Sequence, residues 1–414
     1  MSKKLIVYFI ALSALELFNF SFISVDLIKA FQLIGIGMMV LILIVQVVYQ
    51  REFNFAKRFW FPVVLILTGV LLSMFMAFTG HDQSFTITLI AQRFMYFYLF
   101  YWVLHAIKIS TDDLESIILW LGVTFSVFYI IQFILYPTLL FDVRIAEDRG
   151  TIRIFLPGFT FLVLAYFLCL NRLFETFTLG KLLAVFLFIS ILILMGTRQV
   201  IFSVLLITLM FVLFSRVVKS RILIFMLVAV SIIPVVIIFQ DIFISLIDLS
   251  KSQSESLAEN VRLRAAIFFL TELFPNDLAY ITGNGAESAN SYYGFLIQMY
   301  KDAYGFYQSD IGLVGDYTKF GTLFVLGVFI IMYMTIFRRT GDRFSYIKYN
   351  YIGILLTLFT GGGPFAMADS IIAICCTLYI LDIDYHDRMY LEEHDEDEEE
   401  DESEIIEEPS FINK

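Results

Sequence analysis

The feature that most constrains this chain is a succession of long apolar runs. A hydrocarbon core takes roughly 20 apolar residues per helix, and about a dozen stretches approach that length. They are residues 5–23, 27–49, 59–79, 84–106, 114–136, 155–171, 181–196, 199–215, 220–240, 311–337, 346–361 and 364–382. Of the 414 residues 59% are hydrophobic and only 16% charged, with a mean hydropathy of +0.83. Soluble domains carry about 25% charged residues, so a water-facing surface built from this chain would expose large apolar patches. A soluble globular domain and a disordered chain are both excluded. Because the runs are continuous rather than alternating, an outer-membrane barrel is disfavoured as well. The expected fold is all-α, a polytopic integral membrane protein of about 12 transmembrane helices over residues 1–384. Its first run follows Lys3 and Lys4 and reads as an uncleaved signal anchor, since no clean small-residue cleavage site follows.

The net charge of −11 is unevenly placed. From Asp382 to Lys414 there are 16 acidic and 2 basic residues, a net of −14. The other residues hold 26 basic against 23 acidic, a net of +3, so the acidity belongs to the C-terminal segment. Residues 385–414 are low in complexity and predict a disordered acidic tail. Cys169, Cys375 and Cys376 all lie in apolar runs, which supports neither a disulfide framework nor a spaced metal-ligand set.

Orientation follows from lysines and arginines in short loops. With the N-terminus inside, the cytoplasmic loops hold Arg51, Lys57 and Arg58, then Lys108, then Arg172 and Lys181, then Arg216, Lys219 and Arg221, then Arg338, Arg339, Arg343 and Lys348. Both termini are then cytoplasmic. The exceptions, assigned to the outer side, are Lys29, Arg93, Arg144, Arg149, Arg153, Arg198, Lys251, Arg262, Arg264, Lys301 and Lys319. Two outer loops are long. Residues 136–158 mix charges with aliphatics at amphipathic spacing and are expected to lie on the membrane surface. Residues 240–310, between the ninth and tenth helices, predict a cap with its own helices: 254–274 has helical spacing, stops at Pro275, and is followed by the turn-prone Gly283-Asn284-Gly285.

Phosphate-binding P-loop, HExxH, GxSxG and EF-hand patterns are absent from the sequence. Its histidines are His81, His105, His386 and His394, and neither long outer loop contains one. What remains outside is arginine, whose guanidinium stays charged and forks onto phosphate oxygens. Arg198 opens a tight outer turn after Gly196 and Thr197, with snorkelling to the interface as its structural alternative. Arg262 and Arg264 differ by about 200° on a helix, so only one of them faces a given centre, and Glu259 can pair with Arg262 at i,i+3. Arg93, deep in its run, needs a polar cavity unless the helix starts later. Arg144, Arg149 and Arg153 alternate with Glu147 and Asp148, and one of the three is expected to touch substrate. Asp310 either caps the next helix or orients and deprotonates a hydroxyl.

Taken in order, the Gly196-Thr197-Arg198 turn, the long outer loop with Arg262, its exit Gly283-Asn284-Gly285, then Ser309-Asp310-Ile311-Gly312 and Gly321 resemble the bacterial O-antigen and exopolysaccharide polymerase family of the Wzy type, which is related to O-antigen ligase. The similarity in layout covers most of residues 1–384. It implies a metal-independent GT-C-like glycosyltransferase of the bacterial inner membrane, needing no cofactor. Such an enzyme moves a glycan from undecaprenyl diphosphate to the terminal sugar of another lipid-linked repeat unit, and the family resemblance adds a partner that regulates chain length. By that resemblance Arg198 and either Arg262 or Arg264 are catalytic. The reading of the residues themselves adds Asp310 to the catalytic set and Arg93, Arg144, Arg149 and Arg153 as substrate-binding. The alternatives are a flippase or transporter of the same lipid-linked oligosaccharide, or an O-antigen ligase. The ligase branch carries a histidine in the long outer loop, where this chain has none.

Overall fold

The structure is a computed structural model that describes residues 2–49, 57–148, 151–218, 261–359, 361 and 363–406. The chain is mostly helical. Its helices are α1 (Lys3–Ala14), α2 (Val25–Tyr49), α3 (Trp60–His81), α4 (Phe85–Ala91), α5 (Phe100–Ile107), α6 (Thr111–Leu135), α7 (Phe159–Glu175), α8 (Leu179–Leu194) and α9 (Arg198–Phe214). After residue 260 come α10 (Val261–Thr271), α11 (Ala279–Thr282), α12 (Tyr292–Tyr304), α13 (Leu313–Phe337), α14 (Ser345–Thr357) and α15 (Ala368–Ile406). Among the described residues four helices, α2, α3, α6 and α13, are long and apolar enough to cross a membrane. A fifth span arises if α4 and the segment Arg93–Ile107, bent by 65° from it, count as one. Several spans of this kind make the chain a multi-pass membrane protein. The predicted run 220–240 lies outside the described residues.

Among the described residues, the first and fourth predicted runs are interrupted at polar residues. The first stops at Ala14, and Glu16, Leu17, Phe18 and Asn19 all take positive φ before the chain turns back. The fourth breaks at Gln92, whose buried amide turns inward to donate to Ser73 Oγ at 2.9 Å. Residues Arg93–Leu99 then form a 3-10 turn leading into α5. An amide and a guanidinium inside an apolar bundle must find partners, and bending the helix aims both at neighbouring side chains.

Helices α3 and α13 pack antiparallel at close range because glycines face backbone. A Cβ on Gly69 would come within 2.8 Å of Phe324 N, and one on Gly327 within 2.7 Å of Pro62 O. Lipid supplies no hydrophobic force between helices, so such close small-residue packing is what holds them. The first half of α15 is apolar and buried on every side, from Ile371 to Leu381, as befits a central helix. That helix continues to Ile406 through acidic residues for which the sequence predicts disorder. Glutamate is a good helix former, and extending a helix already nucleated in the bundle adds one hydrogen bond per residue.

Residues 136–158, expected to lie on the membrane surface, are not helical at Ile145–Asp148 or Thr151–Ile154. They contain the only sheet among the described residues, an antiparallel hairpin of β1 (Ile145–Asp148) and β2 (Thr151–Ile154), with Ile145 opposite Ile154 and Ala146 opposite Arg153. In β2, Thr151-Ile152-Arg153-Ile154 alternates polar and aliphatic residues with the two-residue period of a strand. The hairpin is anchored below by Gly158 N donating to Asp369 Oδ2 at 2.8 Å and by Asp142 N donating to Asn19 O at 2.6 Å.

Residues 261–312 form a cap with a small core of its own, made of Ala265, Phe269, Leu273, Tyr293, Ile297, Phe306 and Ile311. Each large side chain buried there contributes roughly 1.5–3 kcal/mol. The start of the predicted cap helix, 254–260, lies outside the described residues; its end does fall before Pro275.

Candidate functional site

Hydrogen bonds and ion pairs sort the cations between the two ends of the bundle. At one end Lys3 Nζ donates to Lys108 O at 2.8 Å and Lys4 pairs with Asp113 at 2.8 Å. There too the buried Glu115 accepts from Arg172, Arg343 and Tyr346, while Arg58 reaches Leu381 O. At the other end lie the hairpin, the finish of α3 and the cap. Helix α8 leaves Arg172 behind and packs against β2, so the turn Gly196–Arg198 falls at the hairpin end.

The cap docks through the segment after α11. Gly283 has φ +75 and lies against Lys319 O and Gly321 N, while Gly321, φ +75, lies against Ile281 O and breaks α13. Asn284 is fully buried, donating through its backbone N and its Nδ2 to Thr318 O at 2.9 and 3.0 Å. Its Oδ1 meets His81 Nε2 at 2.9 Å, and the His81 ring stacks on Tyr293 at 4.1 Å. Gln83, also buried, accepts from Ser288 N at 3.1 Å and Ser291 Oγ at 2.6 Å and donates to Ala286 O. The two glycine motifs noted in the sequence thus meet in space, held by the polar end of α3.

At the centre of this joint stands Glu287. Its side chain is 17% exposed, with Oε2 3.0 Å from Lys319 Nζ and Oε1 3.5 Å from Lys301 Nζ. Burial alone would raise its pKa, but Lys319 and Lys301 outweigh it and hold the carboxyl below its usual range. Tyr293 beside it has a buried hydroxyl with no hydrogen-bond partner, and burial next to Glu287 keeps that hydroxyl protonated. A carboxyl with a depressed folded-state pKa stabilises fully above its unfolded pKa, about 4.3, and loses that contribution as pH falls through the folded value. Hydrogen-exchange protection of residues 283–291 is therefore expected to be flat from pH 8 to about 5 and to drop in acid. Glu287→Gln flattens that drop; an unchanged acid dependence in Glu287→Gln excludes the pair as its cause.

A second polar chain runs beneath. Arg93 Nε donates to Gln32 Oε1 at 2.7 Å and its NH1 to Ile90 O at 3.1 Å, and Gln32 Nε2 donates to Glu16 Oε1 at 3.1 Å. Arg93 thus faces polar partners rather than lipid. Arg144 and Arg153 both lie over the ring of Phe155, at 5.3 and 4.9 Å, so the hairpin presents two guanidiniums together. Arg149 lies outside the described residues. Arg198 is the first residue of α9, after Thr197 and the positive-φ Gly196. Arg262 and Arg264 are both exposed on the first turn of α10, and Arg264 lies 5.8 Å from the Phe306 ring centre. Glu259, its neighbour in sequence, lies outside the described residues.

Asp310 does not cap α13. It is exposed in the 3-10 turn Gln308–Ile311, and Gly312 takes the capping position with no side-chain bond. The buried carboxylate at this helix head is Asp316, which is 8% exposed, leaves Oδ2 without a hydrogen bond and lies against Gly363. Asp316, Lys319, Glu16 and His81 were not singled out as site residues from sequence. A signal existed for the first three, because each is an ionisable residue within a predicted span. His81 belongs to no long loop, and only the docking of the cap onto α3 brings it against Asn284 and Tyr293.

The chain matches no protein-family model, no curated protein and no solved structure.

Proposed function

We propose that this protein is a membrane-embedded glycosyltransferase that polymerises lipid-linked oligosaccharide, moving a growing glycan from undecaprenyl diphosphate to the terminal sugar of another lipid-linked unit. The proposal includes about 12 spans, a cap between the ninth and tenth, and both termini in the cytoplasm of a bacterium whose inner membrane holds the protein. The supporting observation is the segregation of charge: Arg93, Arg144, Arg153, Arg198, Lys301 and Lys319 share one end of the bundle with a cap that has its own core. Cations on the side that the orientation bias disfavours are retained where they hold an anion, and a lipid diphosphate puts one at that depth.

In this reading Arg198 and one of Arg262 and Arg264 hold the donor diphosphate and stabilise charge as it leaves. Arg93 and the hairpin arginines guide the substrate, and Asp310 or the buried Asp316 orients the acceptor hydroxyl. The anomeric carbon–oxygen bond to the diphosphate breaks as the acceptor oxygen bonds to that carbon, the hydroxyl proton passing to the carboxylate. Purified protein in detergent, incubated with lipid-linked repeat units, is expected to form longer chains. Elongation without a membrane barrier excludes a flippase or transporter as the whole activity; no elongation with intact substrate overturns the proposal. One observation favours a ligase-type alternative, namely that His81 sits under the cap against Tyr293. Transfer to lipid A core in the same assay distinguishes it.

A further inference from the structure

At the end of the bundle opposite the cap, four arginines from three parts of the chain surround one cavity. Arg58 stands just before α3, Arg338 and Arg339 just after α13, and Arg388 on α15, and with Tyr385 and Met389 they line a space of about 250 Å³. Because α3 and α13 pack antiparallel, Arg58 and Arg338 come to the same level, one helix length of 22 to 25 residues from the cap. That is where a phosphate headgroup sits beside a spanning helix.

The cavity is strongly unbalanced in charge. Asp384 is the carboxylate paired with these arginines among the described residues: Arg388 NH2 donates to its Oδ2 at 3.0 Å, and Gly341 N donates to the same oxygen at 3.1 Å. Asp382 is buried and engaged elsewhere, accepting from Tyr101 at 2.5 Å and contacting His105 at 3.0 Å. Arg388 is held in place by a further bond to Arg339 O at 2.8 Å. Arg58 is fixed by Leu381 O and by the Tyr385 ring, 4.6 Å from its guanidinium carbon, yet its buried Nε has no hydrogen-bond partner. Burial and the neighbouring Arg338 and Arg388 lower the pKa of Arg58, with Asp382 opposing them in part. Beyond the cavity the backbone of α15 runs on from Arg388 to Ile406, about 27 Å along the axis.

We infer that this cavity binds a phosphate-bearing anion, held by the guanidiniums of Arg58, Arg338, Arg339 and Arg388. Forked, fixed donors at headgroup level suit a phosphodiester or phosphate monoester. The site is independent of the transfer chemistry proposed at the other end. The test uses full-length protein in detergent, titrated with phosphatidylglycerol, with phosphatidylcholine as the zwitterionic control and with inorganic phosphate, read by native mass spectrometry. The variant is Arg338→Gln with Arg339→Gln, because both side chains are exposed and the Arg339 carbonyl that Arg388 uses is unaffected. Phosphatidylglycerol affinity is expected to fall roughly tenfold to hundredfold in the double variant, with phosphatidylcholine unchanged. Arg58→Gln, checked for an unchanged melting profile, is expected to weaken it similarly. If inorganic phosphate displaces the lipid and loses binding in the same variants, the natural ligand is a free phosphate; if it does not compete, the ligand is a lipid headgroup. Equal binding of phosphatidylglycerol by wild type and both folded variants, with no phosphate binding, overturns the site.

Discussion

Replacing Arg198 by alanine is expected to stop elongation and leave single lipid-linked repeat units to accumulate. Arg198 is the first residue of α9, so its charge lies beside the positive end of the helix dipole, an arrangement that costs about 0.3–1 kcal/mol. The turn before it is shaped by Gly196 at φ +62. In the proposed reading a bound diphosphate would reverse the sign of the arrangement, accepting from the first amides of α9 and from the guanidinium together. Removing a donor that stabilises developing charge lowers turnover by roughly 10²–10³-fold. Arg198→Lys keeps the charge and loses the fork, and falls between the two. The measurement is the polymer ladder from purified protein, with gel-filtration behaviour as the check on folding. A normal ladder from folded Arg198→Ala protein removes Arg198 from the mechanism.

Gly321→Ala is expected to release the cap. At φ 75, ψ −168 the backbone of Gly321 lies in a region that essentially only glycine occupies, and the space a Cβ needs is taken by the backbone of Ile281 and Thr282. Strain of this kind costs about 1–3 kcal/mol by itself. Two backbones cannot yield as a flexible side chain would, so the joint parts instead. Exposed proteolytic sites in residues 283–291 and loss of elongation are the expected readouts. Gly37→Ala is the control: a Cβ there meets nothing within 4 Å, and alanine is the better helix former. If Gly321→Ala keeps the cap protected as Gly37→Ala does, the glycine contact is not what docks it.

Some of this was legible beforehand because the relevant physics is local. Residues 27–49, 59–79, 114–136 and 311–337 were expected as spans, and the helices Val25–Tyr49, Trp60–His81, Thr111–Leu135 and Leu313–Phe337 follow them closely. A residue in lipid must satisfy its own backbone, so apolar length and helix coincide. The bend at Gln92 was not legible, because it depends on Ser73 and Gln32 in other helices receiving Gln92 and Arg93. The hairpin was not legible, because strands of four residues carry too short a pattern to announce themselves and only the pairing of Ile145–Asp148 with Thr151–Ile154 defines them. Asp310 drew attention by standing next to a helix start, whereas the carboxylate that the fold buries is Asp316, about a turn and a half further on.

What the amino-acid sequence determines by itself is the helical class and the apolar runs long enough to cross a membrane. Those are sums over neighbouring residues, and each residue contributes according to its own transfer energy. Only the tertiary structure decided which polar groups meet. Gly283 faces Gly321, Glu287 sits between Lys301 and Lys319, and His81 lies under Tyr293, contacts that join residues tens to hundreds of positions apart. Such pairings depend on how the helices cross and where the cap lands, and no residue carries that information alone. In a low-dielectric bundle a buried charge persists only where a partner is held for it.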